Sequence, residues 1–225
     1  MIDAMIVQIY GIMTPEDAAM VAGLGADHIG IAVGDSGQPD EVDTDTARRI
    51  FAAIPPPAKK VALTVTSNVD EIEALARALQ PDILHIAASV SDFGAESTYA
   101  LKQRLPDLPV MQTVAVVGPS ALYVAVKLNS VADYLLLDTR DPNTGRLGIT
   151  GQTHDWSVSR RIVETVGIPV ILAGGLSPEN VADAIRQVQP AGVDSATHTS
   201  RADDPRRKDP DRVRRFVEAA RAVIL

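Results

Sequence analysis

Residues 169–180 read PVILAGGLSPEN, a β-branched apolar run that ends in a glycine pair and then passes through Ser177 and Pro178. Ser177 suits a capping position, Pro178 suits the first turn of a helix, and Gly174 and Gly175 let a ligand approach the backbone closely. Strand, glycine turn and helix start in succession make an anion site at the carboxyl end of a strand. The stretch therefore predicts a strand–helix unit whose binding end lies at the glycines.

Working outward, the same unit recurs. Candidate strands fall at Met5–Gly11, His28–Val33, Lys60–Thr66, Asp82–Ala88, Pro109–Val116, Asp133–Asp138, Pro169–Gly174 and Gly192–Thr197. Each is too uniformly apolar to leave one face in water, as expected of parallel strands buried on both sides. Between them, Thr14-Pro15-Glu16-Asp17, Ser177-Pro178-Glu179 and Asp209-Pro210-Asp211 place a capping side chain before proline and acids in the first turn. Residues 70–79 and 209–224 carry apolar side chains at helical spacing. Strict alternation repeated eight times favours a closed barrel over an open doubly wound sheet. No GxGxxG follows the first strand, and Gly34-Asp35-Ser36-Gly37 has the wrong spacing for a dinucleotide site. The expected fold is α/β, a single (β/α)8 TIM barrel over residues 1–225.

Composition narrows the function. The chain has 225 residues, a net charge of −8 and no cysteine. Thiolate metal sites, disulfides and cysteine nucleophiles are thus excluded. The acidic balance argues against a general nucleic-acid or anionic-membrane partner, although a phosphorylated ligand can still bind locally because fields are screened beyond about 8 Å. No apolar run approaches the roughly 18 residues that span a membrane. A cytoplasmic protein is expected, with a phosphorylated small molecule as partner. The four histidines are scattered without paired helical spacing, so no metal is expected.

Barrel enzymes work at the carboxyl ends of their strands. The polar residues there are Tyr10, Asp35, His85, Gln112, Asp138, the loop 139–154 ending in His154, the Gly174-Gly175 pair, and residues 197–201, with Thr197, His198 and Thr199. His28, at the start of a strand, falls on the structural face.

These residues carry a resemblance. IYGIMTPEDA, ADHIGI, LLLD, GITGQTHDW, LAGGLSPENV, GVD and FVEAAR, taken together over essentially the whole chain, resemble the phosphoribosylanthranilate isomerase family. The resemblance implies a (β/α)8 barrel, a role related to tryptophan biosynthesis, a monomer or homodimer, and no cofactor. It also implies an Amadori rearrangement, in which an N-(5'-phosphoribosyl) arylamine becomes a 1-amino-1-deoxyribulose 5-phosphate. A general acid opens the furanose to an iminium and a general base removes the C2 proton. By resemblance Asp138 holds the acid's place, and Gly174 and Gly175 the first phosphate element. Burial there would raise the carboxyl toward the pKa a general acid needs.

Five places depart from the family pattern. The family's KICG reads Gln8-Ile9-Tyr10-Gly11, so a phenol replaces the catalytic thiol. At an ordinary pKa of about 10 it is a weaker base at neutral pH than a thiol of about 8.5. Tyr10 is either a repurposed base or hydrogen bonder, or a space filler. The family's SPR segment, whose arginine pairs with the anthranilate carboxylate, reads Gly37-Gln38-Pro39-Asp40. The family's QLHG reads His85-Ile86-Ala87-Ala88, so His85 takes the glutamine position and still faces the pocket. The second phosphate element, VSSGVE in the family, reads 195–200 SATHTS, with His198 where glycine is expected. His154 replaces a phenylalanine.

Three readings follow. The first is a sugar-phosphate isomerase with Asp138 as acid and Tyr10, His85 or Asp35 as base, with His154 reaching the ligand. The second keeps the phosphate grip but runs another enol-forming reaction, an epimerisation or retro-aldol cleavage. The third is a non-catalytic binder of a phosphorylated metabolite.

Overall fold

The computed structural model describes residues 5–139 and 153–223. Eight parallel strands alternate with helices. They are β1 (Ile6–Ile9), β2 (His28–Val33), β3 (Lys59–Thr64), β4 (Ile83–Ile86), β5 (Val110–Ala115), β6 (Tyr134–Asp138), β7 (Val170–Leu172) and β8 (Gly192–Ser195). Each pairs with its neighbour in chain order, and β1 pairs with both β2 and β8, which closes the sheet. A two-residue strand, Glu41–Val42, lies against the end of β2. The expected (β/α)8 barrel is therefore the fold.

The outer ring consists of α1 (Pro15–Gly23), α2 (Thr44–Ala52), α3 (Val69–Leu79), α4 (Ala95–Arg104), α5 (Ala121–Leu128), α6 (Trp156–Thr165), α7 (Val181–Val188) and α8 (Pro210–Arg221). Capping decides where several begin. Thr14 accepts from Asp17 N–H, Asn68 from Asp70 and Glu71, and Asp209 from Asp211 and Arg212; such caps contribute about 1 kcal/mol each. The turn at Ser177 differs from expectation. Ser177 Oγ accepts from Glu179 N–H, but Asn180 Oδ1 accepts from Ser177 N–H and its Nδ2 donates to Gly175 O. This interlocked turn delays the helix to Val181, with Asn180 as its cap residue and Pro178 outside it. Among the described residues no helix is long and apolar enough to cross a membrane.

The period of two along each strand sorts side chains into two cores. Val7, Ile9, Leu135, Leu137, Leu172 and Val193 pack outward against the helices. Ile6, Tyr10, Ile83, Met111, Leu136, Ile171 and Ala173 form a separate cluster inside the barrel. Polar groups enter it toward the carboxyl ends of the strands and, at the amino end, at His28, which meets Gln8 and the Tyr134 ring.

Candidate active site

Tyr10 lies just beyond β1, its ring flat over Gly30 of β2, where an added Cβ would come within 2.3 Å of ring carbons. Gly30 thus makes room for the phenol that stands in the thiol's place. Tyr10 Oη is 2.6 Å from His85 Nδ1, and His85 Nε2 is 2.7 Å from Thr113 Oγ1. The structure joins β1, β4 and β5 through this buried chain. Burial, with the Asp194 carboxyl nearby, pushes the Tyr10 phenol well above 10, and burial pushes His85 down to about 3. At neutral pH both rings are uncharged, so the phenol is a hydrogen-bonding group held by a neutral imidazole.

Asp138 ends β6. Its Oδ1 accepts from the Thr139 N–H at 2.7 Å, yet burial pushes its pKa up to about 7 against the lowering effect of that bond. Gly174, at φ +83, brings the turn after β7 against it: a Cβ there would lie 3.4 Å from Asp138 Oδ1 and 3.0 Å from both Thr139 Cγ2 and His154 Nδ1. Gly175 follows at φ +62. His154 Nε2 pairs with Ser159 Oγ at 2.7 Å, its Nδ1 has no partner among the described residues, and burial lowers its pKa to about 4. Asp138, the glycine turn and His154 are thus brought together. The rest of the 139–154 loop lies outside the described residues.

After β8 the chain does not need a glycine at His198. Residues Thr197–Thr199 form a single 3-10 turn, and among described non-glycine residues only Gln80 and Gln189 have positive φ. Thr199 turns inward, its hydroxyl 2.9 Å from Ala196 O, so it braces the loop, while Thr197 is exposed and His198 half-buried. Asp35 is exposed in the loop after β2. Gln112 faces outward, donating to Thr98 Oγ1 of α4 at 2.8 Å, and takes no part in the site. His28 is buried beneath it, 3.1 Å from Gln8 Oε1.

Two buried charged groups escaped the sequence reading. Asp194, only 6% exposed, occupies an inward position of β8, and its Oδ1 has no hydrogen-bond partner among the described residues. Burial, then the charge on Asp138, pushes it well above the carboxylate range, opposed by the Gln8 amide and the Lys208 ammonium. Lys208, 3% exposed, donates to Ala196 O at 2.8 Å and Ser200 Oγ at 3.0 Å beneath Gly11. Burial lowers it to about 8 against the charges of Asp194, Asp17 and Asp40. Asp194 was legible only as the third letter of GVD. Lys208 sits in a polar, charge-rich stretch that reads as surface, and only the pairing of Ser200 with Lys208 carries it inward.

The arrangement offers a proton-transfer carboxyl near neutrality, a glycine turn beside it, and a polar loop across from it. The model of the family described as N-(5'phosphoribosyl)anthranilate (PRA) isomerase matches residues 7–219. N-(5'-phosphoribosyl)anthranilate isomerase 2 of Methanosarcina mazei is 37% identical over 216 residues, 96% of this chain and 93% of that protein. The isomerase of Haloferax volcanii is 39% identical, covering 96% of this chain and 92% of its own. Among solved structures, monomers of the dimeric Thermotoga maritima phosphoribosylanthranilate isomerase superpose with a TM-score of 0.80 at 25% identity, over 97% of this chain and 100% of that one. A phosphoribosyl anthranilate isomerase in complex with reduced 1-(o-carboxyphenylamino)-1-deoxyribulose 5-phosphate gives 0.78 at 26% identity, over the same shares of the two chains. With the match running from β1 into the last helix, the chain belongs to the N-(5'-phosphoribosyl)anthranilate isomerase family despite carrying tyrosine in place of the thiol.

Proposed function

We propose that the protein is a cofactor-independent sugar-phosphate isomerase that performs the Amadori rearrangement of an N-(5'-phosphoribosyl) arylamine, as a cytoplasmic step linked to tryptophan biosynthesis. The observation that carries this is the Asp138 carboxyl, raised to about 7 at the end of β6 and touching the turn at Gly174. A carboxyl half-protonated near neutrality gives a proton to the ring oxygen, and such a donor contributes about 100- to 10,000-fold. The phosphate is read as held between the Gly174-Gly175 turn and the loop of Thr197, His198 and Thr199, the usual place after strands seven and eight. His154 borders the sugar end of the pocket. Tyr10 and His85 serve as uncharged hydrogen-bonding walls. The protein is read as working alone or as a homodimer.

The aglycone carries the second reading. Gln38-Pro39-Asp40 replaces the family's carboxylate-binding arginine segment, and the Asp40 charge is felt by Lys208 at the pocket. A negative group there disfavours a carboxylate on the arylamine and favours an uncharged or cationic one.

The test is turnover of freshly made N-(5'-phosphoribosyl)anthranilate, followed by loss of its fluorescence, beside a carboxylate-free arylamine riboside phosphate. Turnover of either that disappears in Asp138→Asn supports the isomerase. Binding of phosphate without turnover of either substrate would reject it in favour of a metabolite binder.

A further inference from the structure

The missing thiol leaves the proposed reaction without a base, and among the described residues Asp194 is a buried carboxyl on a barrel strand, at the level of Asp138, that the reading above does not use. Leu137 is registered with Leu172, and Leu172 with Val193. The next residues, Asp138, Ala173 and Asp194, therefore share one row on the inward face of adjacent strands, and Asp194 is registered in turn with Gln8. Only the methyl of Ala173 stands between the two acids along that row. In the family pattern the position of Gln8 is lysine, so here Asp194 faces a neutral amide across β1 instead of an ammonium.

We propose that Asp138 and Asp194 form the proton-transfer pair of this barrel, with Asp194 taking the role that the family gives to the thiol. This rests on the isomerase reading above and supplies its second catalytic group. The groups facing Asp194 are the Asp138 carboxyl, the Gln8 amide, the Tyr10 phenol and the Lys208 ammonium. Two buried carboxyls in mutual range do not both ionise readily, so the pair retains one proton at neutral pH, and its titration belongs to both.

One shared proton matches the chemistry. In the reactive arrangement the shared proton is on Asp138 and Asp194 is ionised, supported by the Gln8 amide and the Lys208 ammonium; Asp138 then gives its proton to the ring oxygen while the nitrogen lone pair forms C1=N⁺ and the C1–O bond breaks. Both carboxylates are then ionised, balanced by the cationic iminium beside them and by Lys208. Asp194, a strong base once ionised because its surroundings favour the protonated form, takes the C2 proton. The C2–H electron pair becomes the C1=C2 bond of the enolamine, and the C=N⁺ pair returns to nitrogen. Ketonisation exchanges the enol proton for one on C1 through water. The proton then passes from Asp194 back to Asp138, restoring the starting pair.

The experiment compares native protein with Asp194→Asn in three measurements: turnover of the substrate found active above, binding of the reduced product analogue, and the infrared band of protonated carboxyl at pH 7. The expected result is a loss of kcat of about 100- to 10,000-fold, analogue affinity within about threefold, and a native band of about one protonated carboxyl at pH 7 that in the variant belongs to Asp138 alone and falls to about half. Turnover within about threefold of native overturns the proposal. So does loss of analogue binding in step with activity, which would make Asp194 structural. Absence of a protonated carboxyl in native protein at pH 7 overturns it whether or not the variant folds. Native protein without turnover fails the isomerase reading itself, and that outcome is seen before any variant is made.

Discussion

Tyr10 Oη sits 2.6 Å from His85 Nδ1, tying the residue that replaces the family thiol to the residue that replaces the family glutamine. The two departures are one change. A phenol at the end of β1 needs a partner inside an apolar barrel, and the imidazole on β4 supplies it while its other nitrogen reaches Thr113. Either direction of the chain satisfies all three groups. Tyr10→Phe removes the hydroxyl and leaves His85 Nδ1 unpaired, at a cost of about 1–3 kcal/mol, readable in urea unfolding. Because the phenol is raised and so stays protonated, kcat falls by less than about tenfold; a loss in the range of about 100- to 10,000-fold would instead mark Tyr10 as the base.

Asp138→Asn has opposite effects on activity and stability. A carboxyl raised from 3.8 to about 7 holds more protons folded than unfolded between those values. Its contribution is therefore full below pH 3.8 and is lost as pH rises through 7, so ionised Asp138 destabilises the native protein at pH 8. The full shift corresponds to roughly 4 kcal/mol, reduced to about 2 by water reaching the carboxyl from the pocket. The asparagine variant should melt higher than native at pH 8, equally at pH 4, and turn over about 100- to 10,000-fold more slowly. A variant that is no more stable at pH 8 would show that the carboxyl is solvated like a surface one.

The barrel itself was legible because each strand is a short apolar run and most helices start at a capping side chain or a proline. The period of two in Ile6-Val7-Gln8-Ile9-Tyr10 even assigns Gln8 and Tyr10 to the interior. What the sequence does not carry is partnership across the barrel. Nothing local in His85 names Tyr10, 75 positions away, as its partner. Nothing in SPEN shows that Asn180 folds back on Gly175 and delays the helix. Asp194 looks like any aspartate after a β-branched residue until register sets it in the row of Asp138. Lys208 looks like surface until the Ser200–Lys208 pairing buries it.

The buried histidine below the site predicts acid lability. His28 is lowered from 6.5 to about 4, chiefly by burial and then by the Lys59 charge, with Asp27 and Asp82 opposing. Its neutral ring donates from Nδ1 to Gln8 Oε1. A depressed histidine pKa means that the unfolded chain binds the extra proton between pH 6.5 and 4. The stability it contributes is present above 6.5 and lost as pH falls toward 4. His28→Gln removes that dependence, at the cost of the Gln8 bond at neutral pH. Urea unfolding from pH 7 to 4.5 should show a slope shallower by up to one proton, about 1.4 kcal/mol per pH unit. Parallel slopes for the two proteins would place the proton uptake elsewhere, at His85 or His154.

Gly174 and Gly37 separate backbone strain from crowding at the candidate site. Both hold positive φ, +83 and +85, so an alanine at either position pays a similar backbone cost, about 1–2 kcal/mol. At Gly37 an added Cβ meets nothing within 4 Å, whereas at Gly174 it meets His154 Nδ1 and Thr139 Cγ2 at 3.0 Å and Asp138 Oδ1 at 3.4 Å. Gly37→Ala should thus lower stability by the strain alone. Gly174→Ala should lower it further, because Thr139 and His154 must give way, and it should move the Asp138 carboxyl that the Thr139 N–H holds. The expected pattern is a kcat for Gly37→Ala close to native and a loss of more than about tenfold for Gly174→Ala, in proteins compared well below their melting temperatures. A displacement of about 1 Å at a proton-transfer group is enough for a loss of that size or larger. Equal kcat values in the two variants would mean that the turn after β7 can shift without moving Asp138, and would detach the glycine from the proton-transfer site.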